Sequence, residues 1–241
     1  NFAEDVYYPA MLKRNSDQAS TDIRLAVFDC DGTLVDSQLS IISSMYASFD
    51  ANNIKRPTAQ AIREIVGLPL LETFRRLAPD LDDSTHDQLR DGYKKAFSKL
   101  RRDDLVEEAL YPGIQQILRA LDENGWLLGV ATGKGTDGLM NTLRGHGLED
   151  HFVTLQTADK ARGKPHPEML LNAMAEAGAV SANTVMIGDT TFDIEMAVNA
   201  GVRAIGVSWG YHEPDFLIRA GAETVVETMN ELLETLFEPV E

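Results

Sequence analysis

Apolar residues fall in short runs separated by stretches of helical periodicity. Arg24–Phe28 (RLAVF), Trp126–Ala131 (WLLGVA), Phe152–Leu155 (FVTL), Thr184–Ile187 (TVMI) and Ala204–Val207 (AIGV) read as buried strands, with Glu223–Val226 as a sixth. Between them, Ile114, Ile117, Leu118 and Leu121 share one helical face, as do Met169, Leu170, Ala173, Met174 and Ala177. Strands alternating with helices predict parallel pairing and right-handed crossovers, hence a three-layer α/β fold built on a parallel sheet.

One stretch breaks this rhythm. From residue 38 to residue 108 the pattern is helical without a convincing strand: Ile41, Ile42, Met45, Tyr46 and Phe49, then Ile62, Ile65 and Val66, then Leu70–Leu77, then Gln88–Leu100. This predicts a small helical domain inserted after the first strand. Tyr111-Pro112-Gly113 marks the return to a core made of residues 21–37 and 109–241. Residues 1–20 read as a polar extension with neither the basic start nor the apolar stretch of a signal peptide.

The 241 residues carry a formal charge of −16. Such a chain repels a phosphate backbone, which argues against a nucleic-acid partner. An anion site must therefore be built locally against the field of the whole protein. No apolar run approaches the ~20 residues of a membrane span. The single cysteine, Cys30, excludes an internal disulfide and a multi-cysteine zinc site. These features predict a reducing, cytoplasmic setting.

In open parallel sheets, ligands bind beyond the carboxyl ends of the strands. After the first strand come Asp29 and Asp31, two residues apart and so on one face, followed by Gly32, which permits a tight turn. After the second come Thr132 and Gly133, a hydroxyl and a free N–H leading into a helix. Lys164 follows the third strand in a loop stiffened by Pro165 and Pro167, and Asp189 and Asp193 follow the fourth. Alone, each has a plain structural reading: a turn closing a strand, a helix cap at Asp189, a solvated face at Asp193. Cys30, between the two aspartates, is expected to point into the core; Ser37 is expected to cap the next helix. His166 reads as incidental, and Trp209–His212 as a surface loop.

Together the motifs DxDGT (Asp29 to Thr33), Thr132-Gly133, GKPxP around Lys164 and GDxxxD (Asp189, Asp193) resemble those of the haloacid dehalogenase (HAD) superfamily, in particular phosphoglycolate phosphatase-like members. The resemblance spans roughly residues 23–226. It implies a Rossmann-like HAD core with a helical cap, and a phosphatase acting on a small phosphorylated metabolite. It implies Asp29 as nucleophile and Asp31 as acid and base. Thr132, the Gly133 N–H and Lys164 would hold phosphoryl oxygens. Mg²⁺ would be held by Asp29, Asp189 and the Asp31 carbonyl, with Asp193 positioning Lys164 or a metal-bound water. The cap loop with Gly67, Leu68 and Leu70 is the candidate substrate contact; Arg56, Arg63, Arg75 and Arg76 read chiefly as solvated helix faces. Crowded carboxylates independently favour a metal, since like charges 4 Å apart repel by about 4 kcal/mol at an effective dielectric of 20. Oxygen ligands favour Mg²⁺ over zinc.

Other readings compete. Gly133–Gly138 matches G-x-G-x-x-G, with Asp159 placed as a ribose ligand would be. That fingerprint belongs on the first βα turn, which here carries the aspartates. A phospho-aspartate signalling module shares the acidic residues but not the helical insert. A sugar phosphomutase keeps the aspartate pair, but such enzymes tend to carry a cap-loop arginine that Gly67–Glu72 lacks. The sequence leaves the substrate and the oligomeric state open.

Overall fold

The first strand, β1 (Arg24–Phe28), explains the architecture. Leu25 and Val27 point to one side of the sheet and Ala26 and Phe28 to the other, and all four are fully buried. A strand covered on both faces must be apolar throughout, which is why its sequence does not alternate. The computed structural model describes residues 23–237, so the polar extension expected over residues 1–20 lies outside the described residues.

After β1 the chain makes a two-residue strand, β2 (Val35–Asp36), and enters four helices: α1 (Gln38–Ala51), α2 (Ala59–Arg63), α3 (Leu70–Leu77) and α4 (Asp83–Arg102). It returns through β3 (Ala109–Leu110) and alternates regularly from there. α5 (Ile114–Glu123), β4 (Trp126–Thr132), α6 (Thr136–His146), β5 (Phe152–Thr157), α7 (Glu168–Ala177) and β6 (Thr184–Gly188) come first. α8 (Thr191–Ala200), β7 (Arg203–Val207), α9 (Pro214–Ala220), β8 (Thr224–Val226) and α10 (Met229–Phe237) complete the described chain. All six expected strands form, within two residues at either end.

Six strands make one parallel sheet in the order β5-β4-β1-β6-β7-β8. Two apolar clusters cover its faces. One contains Phe28, Ile117, Leu118, Leu128 and Ile187; the other contains Val27, Met169, Leu170, Met186 and Ile194. The result is the three-layer α/β fold that the alternation predicts. Truncating a buried ring such as Phe28 to alanine costs about 3–5 kcal/mol in such a core. Phe28 pairs with Val130 on one side and Ile187 on the other. The residues just beyond β1, β4 and β6 therefore emerge together at one rim.

The four helices from Gln38 to Arg102 have their own apolar cluster, with Ile41, Met45, Phe49, Ile62, Phe74, Leu89 and Phe97. β2 and β3 pair antiparallel, Val35 with Leu110 and Asp36 with Ala109. This ribbon, too short to be seen as strands in the sequence, ties the departing chain to the returning chain.

Candidate active site

Asp29 follows β1 and continues its ladder, its N–H donating to the Ile187 carbonyl at 2.9 Å. Its side chain is 1% exposed. Cys30 points the other way into the core, as strand alternation requires. The chain then folds tightly back, with the N–H groups of Leu34 and Val35 both reaching the Cys30 carbonyl. Gly32 stands in this turn at φ +91°, and a Cβ there would lie 2.2 Å from Asp189 Oδ2. Glycine thus answers two demands: a left-handed backbone and contact with a carboxylate.

Asp189 leaves β6 beside Asp29. Thr33 Oγ1 donates to its Oδ1 at 2.8 Å and the Tyr211 N–H to its Oδ2 at 2.9 Å. Asp193 lies one helical turn further on, fully buried. It does not face solvent, and Asp189 is not the helix cap. Thr190 takes the N-cap position of α8, and its N–H donates to Asp193 Oδ2 at 3.1 Å. Lys164 Nζ lies 2.7 Å from Asp29 Oδ1 and 2.5 Å from Asp193 Oδ1, its side chain wholly buried.

Oxygens of Asp29, Asp189 and Asp193 lie within 4.8 Å of one another. Three carboxylates against one ammonium leave this cluster electrostatically unbalanced. Burial pushes the Asp29 carboxyl up to about 7, with Lys164 opposing and Asp193 adding to the rise. Burial, then the charges of Asp29 and Asp193, hold the Asp189 carboxyl well above the usual range. For Lys164, burial works against the ammonium, but Asp193 and Asp29 more than offset it and raise its pKa. Asp29 Oδ2 is buried without a hydrogen-bond partner among the described residues. An all-oxygen set with an excess of negative charge and an unpartnered carboxylate oxygen fits a hard divalent cation.

Asp29, Asp31, Thr132 and Gly133 line a cavity of about 540 Å³. Met45, Tyr93 and Phe97 of the helices also line it, with the loop of Gly67, Leu68 and Pro69 and with Leu70 and Leu71, which open α3 rather than belonging to the loop. That loop reaches the rim. A Cβ on Gly133 would lie 2.7 Å from the Gly67 carbonyl oxygen, and one on Gly163 would lie 2.0 Å from Pro69 Cγ. Gly67, Leu68 and Leu70, the expected substrate loop, therefore border the same space as the aspartates. Thr132 is buried and its Oγ1 accepts from the Lys134 N–H at 3.2 Å. Lys164, Asp189 and Asp193 stand behind the cavity wall rather than in it.

Several residues read differently from the sequence. Ser37 holds the N-cap position of α1, but its hydroxyl makes no cap bond and donates instead to Asp31 Oδ1. Trp209–His212 is not a plain surface loop: Trp209 Nε1 donates to the Thr33 carbonyl, Gly210 packs on Asp189, and His212 Nδ1 accepts from the Thr191 N–H. His166 Nδ1 accepts from the Glu168 N–H at the start of α7. Asp159 caps α6, accepting from the Thr136 N–H at 3.0 Å, so the G-x-G-x-x-G stretch meets its own carboxylate.

Arg56, Arg63, Arg75 and Arg76 do not line the cavity. They pair with Asp50, Gln38, Asp83 and Glu72 respectively. The cations that do line it are Arg90, Lys94, Arg101 and Lys134. The first three share a face of α4 with Phe97 at spacings of four, three and four, a periodic signal present in the sequence but not singled out there. Lys134, hidden in the glycine-rich stretch, ion-pairs with Asp31.

A family model described as haloacid dehalogenase-like hydrolase matches residues 26–207. The chain is 37% identical over 214 residues to the probable phosphatase IndB of Dickeya dadantii (strain 3937), covering 87% of this chain and 91% of that protein. It is 32% identical over 213 residues to the pyrophosphatase PpaX of Listeria monocytogenes serotype 4b (strain CLIP80459), covering 88% and 95%. A crystal structure described as a predicted phosphatase from Clostridium acetobutylicum superposes with a TM-score of 0.81 at 27% identity, covering 90% of this chain and 99% of that one. This chain belongs to the haloacid dehalogenase-like hydrolase family, and within it is a phosphatase.

Proposed function

We propose that the protein is a Mg²⁺-dependent phosphatase of a small phosphate monoester, phosphoglycolate-like in size, working through an aspartyl-phosphate on Asp29. The observation that carries this reading is the carboxylate cluster of Asp29, Asp189 and Asp193, with one lysine against it, whose member Asp29 lines a cavity together with Asp31. Asp29 and Asp189, with the Asp31 carbonyl, would hold the cation. When bound, Mg²⁺ supplies positive charge to phosphoryl oxygens and to the crowded carboxylates.

The chain's own groups divide the remaining work. An Asp29 carboxylate oxygen bonds to phosphorus as the ester P–O bond breaks, and Asp31 gives the leaving oxygen a proton. Water then attacks phosphorus, passing a proton to Asp31, and inorganic phosphate departs with Asp29 restored. Thr132 and the Gly133 N–H bind phosphoryl oxygens. Lys164, expected to join them, is paired with Asp29 and Asp193 and does not line the cavity, so its part is to keep Asp29 ionised and oriented. The helices from Gln38 to Arg102 act as a cap domain over the core that carries the six-stranded sheet, excluding water from the cavity. Pyrophosphate is a second candidate substrate, favoured by the likeness to the pyrophosphatase PpaX.

Phosphate release from a panel of phosphoglycolate, sugar phosphates, nucleoside monophosphates and pyrophosphate tests the reading. We expect release with Mg²⁺, its loss on chelation and its return when Mg²⁺ is restored. Full activity after exhaustive chelation contradicts the metal assignment. Transfer of phosphoryl between positions of a sugar, without release, indicates a mutase instead.

A further inference from the structure

Asp31 Oδ1 has two partners: it accepts from the Ser37 hydroxyl and ion-pairs with Lys134 Nζ at 2.8 Å. Oδ2 takes none of the hydrogen bonds among the described residues, and Asp31 lines the cavity. Lys134 is itself anchored, with Nζ 2.9 Å from Glu108 Oε1. Glu108 is nearly buried, at 7% side-chain exposure, and its other oxygen, Oε2, accepts from Thr142 Oγ1 of α6 at 3.1 Å and faces Arg101 of α4 at 3.4 Å. Its carbonyl meets His146 Nε2 at 2.7 Å. The Phe97 ring centroid lies 5.4 Å from Lys134 Nζ.

From this chain of contacts we infer that Glu108 and Lys134 are positioning residues for proton transfer. Together they pin Oδ1 of Asp31 so that Oδ2 is the atom that carries the proton to and from the cavity. A lysine fixed only by Asp31 could swing with it; the Glu108 anchor, itself braced by Thr142, removes that freedom. Glu108 immediately precedes β3, where the chain comes back from the helices. The brace therefore stands where α4, α6 and the antiparallel ribbon meet, and the orientation of Asp31 depends on all three. The inference rests on the proposed role of Asp31 as acid and base.

Leaving-group chemistry tests it. An alkyl ester needs a proton on its leaving oxygen, whereas p-nitrophenyl phosphate does not. The water in the second step must lose a proton whichever ester is used. In Glu108→Gln, single-turnover release of nitrophenolate should stay within about threefold of wild type. Steady-state kcat on p-nitrophenyl phosphate, and the first turnover of the fastest alkyl ester in the panel, should each fall at least about tenfold, a fraction of the 10²–10⁴ that acid–base catalysis contributes. KM should change little. Thr142→Val, which removes one brace without uncovering a charge, should show the same split to a smaller degree, and covers the case in which Glu108→Gln folds poorly. Equal losses in all three rates, or no loss, would overturn the inference. A raised KM with unchanged kcat would also overturn it and make Lys134 a substrate ligand. No turnover of any ester by the wild type would instead overturn the phosphatase reading on which it rests.

Discussion

Asp29→Asn should lose turnover by at least about 10⁴-fold, the scale seen when a nucleophile is removed from an enzyme whose other groups remain. Asparagine matches aspartate in shape, but its amide cannot form the acyl-phosphate. The loss should appear in kcat while substrate binding survives, because Thr132, Gly133 and the cavity wall are untouched. The fold should survive too. Asp29 is buried among Asp189, Asp193 and Asp31, and burial already pushes its carboxyl up to about 7. Removing its charge relieves repulsion, so the metal-free variant should unfold at a temperature no lower than wild type. A folded variant with wild-type turnover would remove Asp29 from the chemistry; a variant that unfolds would show that its part is structural.

Lys164→Met should damage both activity and stability. Methionine keeps the length and apolar stem of the side chain but strips the counter-charge from Asp29 and Asp193, which Lys164 Nζ reaches at 2.7 and 2.5 Å. Breaking a buried ion pair by removing one partner costs about 3–5 kcal/mol. Activity should fall at least about 10²-fold, because without the ammonium the Asp29 carboxyl is held protonated and loses the partner that aims it at phosphorus. The destabilisation has a definite pH dependence. In the metal-free fold Asp29 titrates near 7, against 3.8 as its ordinary value. Between those values the folded chain binds more protons than the unfolded one, so this group's contribution to stability declines as pH rises through the window. Lys164→Met should steepen that decline. Denaturant unfolding of metal-free protein at pH 5.5 and pH 8 measures it, and equal stability of variant and wild type at pH 8 would contradict the assignment.

Much of the fold was legible because the strands are buried on both sides. A run such as RLAVF has no polar face, and five runs like it, spaced by helical periods, leave few topologies open. The β2–β3 ribbon was invisible because two residues per strand carry no periodicity. The motif residues were legible for a related reason: each follows a strand directly, so strand position fixes where it emerges. The supporting residues were not. Lys134 meets Glu108 across 26 positions and Tyr211 meets Asp189 across 22, and no local pattern marks either pairing. Ser37 and Asp159 show what tertiary contacts add: Ser37, expected to cap a helix, donates instead to the Asp31 carboxylate, while Asp159, at the position a ribose ligand would take, accepts from the first turn of α6. Asp193 shows the same limit, since an acidic residue in the first turn of a helix ordinarily faces water, whereas here it faces Lys164.

The most direct test of the central claim is to catch the covalent step. Mixing the protein with Mg²⁺ and a turned-over ester, quenching in acid within the first turnover and mapping the peptides by mass spectrometry should find one phosphoryl group, on Asp29. With p-nitrophenyl phosphate, whose leaving group needs no proton, its amount should rise in Glu108→Gln, where only the second step is slowed, and with any ester it should vanish in Asp29→Asn. Phosphate release with no phosphorylated aspartate at any quench time, or with the group on another residue, would contradict the account.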